Sequence, residues 1–291
     1  MKYYCLHEGF YHGVQLRLDQ IKAACNKLNI EFVPLNSLTF DYSNLPQLSK
    51  NDLLYNATRG SETLETLLLN KNVTTYYINN PEFVVSNPDT TKYSILHDKG
   101  NLTGPKTIYN ITADRFLLKK YIDYLEGFPI VIKATGSTLG IGTIKIETWQ
   151  NLISTVDYLM TTGHKFIMRQ FIKAKSGCRM IVLGNEVIAA ADFAMNEGDF
   201  RNAAVLSETK YYTRDYPDSI KQIAIKATHL ANTEFSGVDF LEDENGDYYL
   251  LEINFPTGFS SLIDLCGVDI PEKMVDFLMQ KAKRINRTNH Q

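Results

Sequence analysis

No CxxC or CxxH pair occurs among the four cysteines, Cys5, Cys25, Cys178 and Cys266. Scattered in this way they exclude a zinc site and a disulfide framework, and free thiols are expected, with Cys178 packing in a core. Excess positive charge is missing too: 30 Lys and Arg stand against 33 Asp and Glu, a net charge of -3. Such a chain has no overall basic field for a phosphodiester backbone, so no nucleic acid partner is expected. No stretch approaches the roughly 20 apolar residues of a membrane span. MKYYCLHEGF also lacks the unbroken apolar core of a signal peptide. No membrane association and a cytoplasmic address are the expectation. Internal repeats and low-complexity tracts are absent as well.

What is present is a chain of 291 residues, 44% hydrophobic, enough to bury a sizeable core and divide into two or three compact units. Up to about Val85, short apolar strands (KYYCLHEG, EFVPLN, DLLYNATRG, TTYYINN) alternate with helical patterns, VQLRLDQIKAACNKLNI and ETLETLLLN. Leu16, Leu18, Ile21, Ala24, Cys25 and Leu28 recur at helical spacing, and this alternation predicts a parallel α/β layer. NNPEFVVSNPDTT, residues 79–91, carries two prolines and several polar residues and reads as a connector. Beyond it a helix (90–97), a strand at KTIYN and the helix ADRFLLKKYIDYLE precede IVIKATGSTLGIGTIKIE, two alternating runs around a glycine-rich loop. The helix WQNLISTVDYLMTTG follows, then strands FIMRQFI, RMIVLG and EVIAAADF, the helix IKQIAIKATHLANTE, strands FSGVDFLED and DYYLLEINF, and a closing helix from Pro271.

The last two strands flank Asn245-Gly246, a dipeptide suited to a two-residue type I′ hairpin turn. With that turn, paired positions sum to 491 along the whole ladder. Asp239 then lies directly opposite Glu252, and Asn254 shares their face, opposite a small Gly237. Two carboxylates directly across a hairpin repel, and with Leu241 and Leu250 expected on the same face they call for a cation between them. Two carboxylates and one amide suit Mg2+ better than a soft metal. A solvated face of an ordinary hairpin is the plain alternative.

Gly136, Ser137, Thr138, Gly140 and Gly142 form a loop whose backbone N–H groups and hydroxyls suit phosphates. It is not a P-loop, having no GKS or GKT, and Lys145 stands where a dinucleotide fingerprint needs its third glycine. It also runs into a strand, where both motifs need a helix. Lys133, just before the loop, is placed to reach the phosphates the loop covers.

In this order the residues resemble the ATP-grasp superfamily, and within it the RimK-like carboxylate-amine ligases, over roughly residues 89–277. The resemblance implies α/β and α+β architecture: an ATP-grasp fold preceded by a small α/β pre-ATP-grasp domain. The expected division is 1–86 for that first domain, 87–165 for a central region with the glycine-loop lid, and 166–291 for a C-terminal subdomain carrying the metal hairpin. TKYSILHDKGNLTGPKT looks like the DK-led helix, making Lys92 a first phosphate-contacting lysine. IVIKATGSTLGIG is similar to the lysine and flexible loop. FIMRQFI is similar to the linker that holds adenine, so Gln170, Phe171 and Ile172 would line the base pocket. LLEINFPTGF resembles the E-x-N-x-x-x-G signature. Arg179 matches the arginine of the D-x-R strand, and Arg201 matches an arginine that binds the transferred phosphoryl group, although either is a plain surface residue on bare composition. The chain departs from the family pattern at Thr91, where an acid is usual, at Gly177, two places before Arg179, and in 192–195, which lack an arginine.

The implied activity is ATP-dependent joining of a carboxylate to an amine through an acyl-phosphate. The implied cofactors are ATP and Mg2+, two ions, with Mn2+ as the substitute. Partners are a small-molecule carboxylate and amine, or a peptide or protein side chain, and a homo-oligomer is left open. An ATP-grasp kinase and a non-catalytic nucleotide-binding module are the alternatives. Arg59 either faces the substrate cleft or serves a turn, and His7 and His12 read as polar loop residues.

Overall fold

The computed structural model describes residues 1–9, 12–84, 91–136, 140–195, 200–201 and 211–288. Ser137 and Thr138 therefore lie outside the described residues, as do the side chains of His12 and Arg59.

The N-terminal unit contains β1 (Lys2–His7), α1 (His12–Lys27), β2 (Glu31–Asn36), β3 (Leu53–Asn56) and α2 (Glu62–Leu68), its strands forming a parallel sheet in the order β2-β1-β3. Val14, Leu18, Ile21, Ala24 and Cys25 form the buried stripe of α1, whereas Leu16, expected in that stripe, faces solvent. TTYYINN does not form the fourth strand expected of it and makes only isolated bridges, Leu53 with Thr74 and Tyr77 with Thr233. Its carbonyls are used differently: Lys281 donates to the oxygens of Thr75 and Tyr77. Buried Tyr76 donates to the Met274 carbonyl at 2.9 Å, tying the segment to the C-terminal helix.

The middle of the chain contributes α3 (Thr91–Lys99), β4 (Thr107–Ile108), α4 (Arg115–Tyr124), β5 (Ile130–Ala134), β6 (Thr143–Ile146), α5 (Trp149–Met160) and β7 (Phe166–Gln170). Its strands make an antiparallel sheet, β4-β7-β5-β6. Asp114 caps α4 by accepting from the N–H groups of Phe116 and Leu117, and Thr148 caps α5. Leu118 and Ile122 of α4 and Leu152 and Val156 of α5 cover the sheet face carrying Ile130, Ile132 and Met168.

The remainder holds β8 (Ala174–Leu183), β9 (Glu186–Ala194), β10 (Tyr211–Tyr212), α6 (Asp218–Leu230), β11 (Phe235–Asp243), β12 (Tyr248–Asn254), α7 (Ser260–Cys266) and α8 (Ile270–Thr288). The antiparallel sheet β10-β9-β8-β11-β12 buries Cys178, Met180, Val238, Phe240 and Ile253 against Ile220, Ala224 and Ala227 of α6. Cys178 thus packs, as expected, and burial pushes its thiol far up. The short α7 had no clear periodicity to announce it. Among the described residues no helix is long and apolar enough to cross a membrane.

The hairpin keeps the expected pairing where the carboxylates stand and loses it elsewhere. Asp239 pairs with Glu252 and Gly237 with Asn254, but Phe240 pairs with Leu250 and Glu242 with Tyr248. The connection is a three-residue loop, Glu244-Asn245-Gly246, with Gly246 at φ +86° and the Asp243 N–H donating to the Asp247 carbonyl. Asp243 drives this choice, because its carboxylate accepts from the N–H groups of both Asn245 and Asp247 at 2.9 Å. A bulge between Asp239 and Phe240, with Leu251 as its extra residue, restores the offset. Leu250 consequently sits in the α6 core beside Phe240, not on the carboxylate face.

Candidate active site

Strand pairing brings Arg179 of β8, Asp239 of β11 and Glu252 of β12 into one row across the sheet. Arg179 grips Asp239 with two hydrogen bonds of 2.7 Å, from Nε to Oδ1 and from a terminal nitrogen to Oδ2. Lys133, at the end of β5 in the other sheet, reaches across and donates to Glu252 Oε2 at 2.9 Å. Asn254 Nδ2 donates to Asp239 Oδ2 at 3.1 Å and to Glu252 Oε1 at 3.4 Å. The cations that the facing carboxylates called for are thus Lys133 and Arg179. Burial presses the Asp239 carboxyl upward, whereas at Glu252 the effect of burial is outweighed by Lys133, with Arg179 and Arg169 behind it, and that carboxyl is held well below the usual range.

Gly237 matters to this row because a Cβ there would stand 2.1 Å from Thr257 Oγ1. The Thr257 side chain uses the space opposite Asn254. Gly237→Ala is expected to displace Thr257 and lower stability by about 1 to 3 kcal/mol through overpacking. Thermal unfolding measures this, and an unchanged midpoint would show that Thr257 moves freely. Gly177, in place of the usual acid, has its own reason: a Cβ would lie 1.8 Å from the Phe193 ring, so an aromatic side chain fills that position and no carboxylate replaces the missing one there.

The glycine loop follows Lys133, with Gly136, Gly140 and Gly142 at φ +81°, +71° and +74°. Arg201 packs on Gly140, its Cδ 3.3 Å from where a Cβ would be, so this arginine accompanies the loop. Gln170 closes β7; its N–H donates to the Lys106 carbonyl at 2.9 Å and its side chain to Glu126 at 2.6 Å. The Phe171 ring meets Phe200 edge-on at 6.3 Å and lies 4.8 Å below Lys145 Nζ, while Ile172 is half-buried. Lys92 is exposed on the first turn of α3, and among the described residues no hydrogen bond or ion pair joins it to the hairpin. His7 differs from its reading as a loop residue: it ends β1, is 2% exposed and has its Nδ1 3.0 Å from the Gly9 carbonyl oxygen.

Arg169 escaped the sequence reading. It lies on β7 beside the site, 6% exposed, donating to Ser94 Oγ of α3 and, at 3.1 Å, to the Leu251 carbonyl of the bulge. Its Nε has no partner, and burial lowers its pKa. His97 is 5% exposed, and burial, with the Arg169 cation near it, pushes its pKa down to about 4. The signal was an arginine two places after Ile167, a charge on one face of an otherwise apolar strand.

Among the described residues no three His, Cys, Asp or Glu converge as metal ligands. The hard-oxygen set is two carboxylates and the Asn254 amide. It fits Mg2+: the three side chains already touch one another on a single face, and the cations now neutralising them mark a place of concentrated negative charge.

A family model described as the RimK-like ATP-grasp domain matches residues 94–278. A ribosomal protein bS6–L-glutamate ligase of Escherichia coli is 32% identical over 163 residues, 55% of this chain and 54% of the relative, so the chain spans about half the length of the curated relatives it matches. Among solved structures, the ATP-grasp ligase PsnB complexed with a minimal precursor superposes with a TM-score of 0.74 at 16% identity, over 96% of this chain and 98% of that one. D-alanine–D-alanine ligase from Bacillus anthracis gives 0.69 at 16%, over 99% of both chains. At such identities the structures show the fold, which is the ATP-grasp fold with its preceding α/β unit. A match over well more than half of the chain shows the lineage as well: the chain belongs to the RimK-like ATP-grasp domain family.

Proposed function

We propose that the protein is an ATP-dependent carboxylate-amine ligase, forming an amide or peptide bond through an acyl-phosphate with release of ADP. The observation that carries this reading is the convergence of Lys133 from one sheet with Arg179, Asp239, Glu252 and Asn254 from the other. The relatives' names speak for it too, one being a protein–glutamate ligase and another joining two amino acids. One substrate is then a carboxylate and the other an amine, either small or borne by a peptide or protein side chain, and the address is cytoplasmic.

In this reading Asp239, Glu252 and the Asn254 amide oxygen, after a flip of that amide, hold Mg2+. Bound there, magnesium supplies positive charge to the phosphate oxygens of ATP and to the charge that develops as phosphoryl transfer proceeds. Lys133 and Arg179 let go of their carboxylates and turn to the phosphates. Lys92 and the loop of Gly136, Ser137, Thr138 and Gly140 hold the same groups, with Arg201 following the loop. Gln170, Phe171 and Ile172 line the adenine pocket. The substrate carboxylate attacks the γ-phosphorus, and the amine then displaces phosphate from the acyl carbon. Phosphoryl transfer asks chiefly for position and charge, which these residues provide. We divide the chain at 1–86, 87–170 and 171–291, moving the expected boundary from 165 to 170 because β7 pairs with β4 and β5.

A panel of carboxylic acids with ATP, Mg2+ and hydroxylamine tests the reading. The cognate acid is expected to yield ADP and a hydroxamate in equal amounts. A stable phosphate ester without hydroxamate would make the protein a kinase, and ADP formed from the cognate acid without a trappable acyl group would sink the ligase reading.

A further inference from the structure

Between α2 and the C-terminal unit lies a cleft of about 200 Å³ that none of the roles above uses. Its floor is Glu65, 3% exposed. One carboxyl oxygen accepts from Asn56 Nδ2 at 2.7 Å and the other from the Tyr77 hydroxyl at 3.0 Å. No Lys or Arg among the described residues pairs with it. A second acid, Glu62, stands one turn away on the same helix and also lines the cleft.

The walls are aromatic. Tyr77 and Phe255 meet edge-on at 5.5 Å, Tyr93 of α3 adds another ring, and Phe83 is 61% exposed among the lining residues. Phe255 and Pro256 directly follow Asn254 in the chain, so the cleft adjoins the end of the hairpin that carries the site.

A buried carboxyl with no cation is costly, and proteins seldom keep one in a packed core. Here it borders open volume, where a ligand can meet it. Two acids repel an anionic ligand, and a purely apolar ligand gains nothing from Glu65. Aromatic faces around a carboxylate favour a cation whose stem is apolar. We propose that this cleft binds a protonated primary amine on an apolar stem, of the lysine side-chain type, as part of the amine-bearing substrate. Only the word substrate rests on the ligase reading; the binding itself does not.

The site carries its own signature. Burial, with Glu62 adding to it, raises the Glu65 carboxyl to about 7, so it titrates near neutral pH. The other titratable groups around it are phenols: burial holds those of Tyr55 and Tyr77 far above their usual range, and Tyr93 also lines the cleft. A bound ammonium favours the carboxylate, so binding near pH 7 releases protons, and affinity rises as pH climbs through that range.

Isothermal titration of the full chain with Nα-acetyl-lysine methylamide, in two buffers of different ionisation enthalpy, measures both quantities. The norleucine counterpart is the neutral control. The lysine probe is expected to bind at least about tenfold more tightly than the norleucine probe, with proton release. Glu65→Gln keeps an acceptor for Asn56 and is expected to lose that advantage and the release together, while binding of a non-hydrolysable ATP analogue stays unchanged. Glu62→Gln, at a partly exposed position, is expected to weaken the lysine probe a few-fold. Equal affinity for the two probes, or a Glu65→Gln protein that still prefers lysine, would overturn the proposal. Amine binding that survives a failed hydroxamate assay would count against the ligase reading alone.

Discussion

Asp239→Asn and Glu252→Gln are each expected to lower ADP formation by roughly 10²-fold to 10³-fold or more. In the proposed mechanism each removes one of the two charges that would hold Mg2+, and no third carboxylate stands by among the described residues. Activity with Mg2+ and the variants' affinity for Mn2+, read by paramagnetic resonance, are the measurements. A variant that turned over at near the parent rate would remove the hairpin from the mechanism. Repulsion between the facing carboxylates alone argues that either substitution should stabilise the fold. The structure reverses that sign for Asp239. Its carboxylate is clasped by Arg179 through two hydrogen bonds, so Asp239→Asn leaves a partly buried guanidinium without its counter-charge and is expected to cost about 1 to 3 kcal/mol. Glu252 accepts from Lys133 at 2.9 Å and from Asn254 at 3.4 Å, and because the Lys133 ammonium holds its carboxyl below the usual range, Glu252→Gln is expected to lower stability as well.

Lys133→Ala should cut the single-turnover rate of hydroxamate formation by about 10²-fold to 10³-fold, the equivalent of about 3 to 4 kcal/mol for a charged donor aimed at developing charge. The ammonium stands near the end of β5, three positions before Gly136, the first glycine of the loop, and is held within reach of the hairpin at 2.9 Å from Glu252. Lys133→Arg separates charge from shape: a guanidinium keeps the charge but is larger and planar, so partial recovery points to charge and none points to fit. An undiminished rate in Lys133→Ala would place the phosphate-binding lysine elsewhere.

Much of this was legible in the sequence, and the reasons differ by residue. Asp239 opposite Glu252 came from a turn dipeptide and a period of two, and the pairing is right although the turn is not. Asp243 lengthens the loop by offering its carboxylate to two N–H groups, and the bulge then cancels the offset. Two departures from the simplest ladder compensate, which a count of positions cannot see. TTYYINN misled because alternation of apolar and polar residues says nothing about which partner takes the carbonyls, and Lys281, some 200 positions away, takes two of them. Glu65 was invisible for a similar reason. In ETLETLLLN it reads as a solvated helix residue, and only the packing of Tyr77 and Asn56 over α2 makes it a buried acid. Arg169 was the legible omission, a lone cation in an apolar strand.

The bulge at Leu251 has a use beyond restoring the count. Removing that one residue would make the ladder continuous and still leave Asp239 facing Glu252, so the carboxylate pair does not require it. In an unbroken antiparallel strand, successive residues turn their N–H and C=O alternately to the two sides. Leu250 already turns outward, its N–H donating to the Thr103 carbonyl at 2.8 Å, and its neighbour would turn inward to β11. As the extra residue, Leu251 instead offers its carbonyl to Arg169 of the opposite sheet. The irregularity works as a rivet: one peptide group is withdrawn from its own ladder to fasten the two antiparallel sheets together, at the residue just before Glu252.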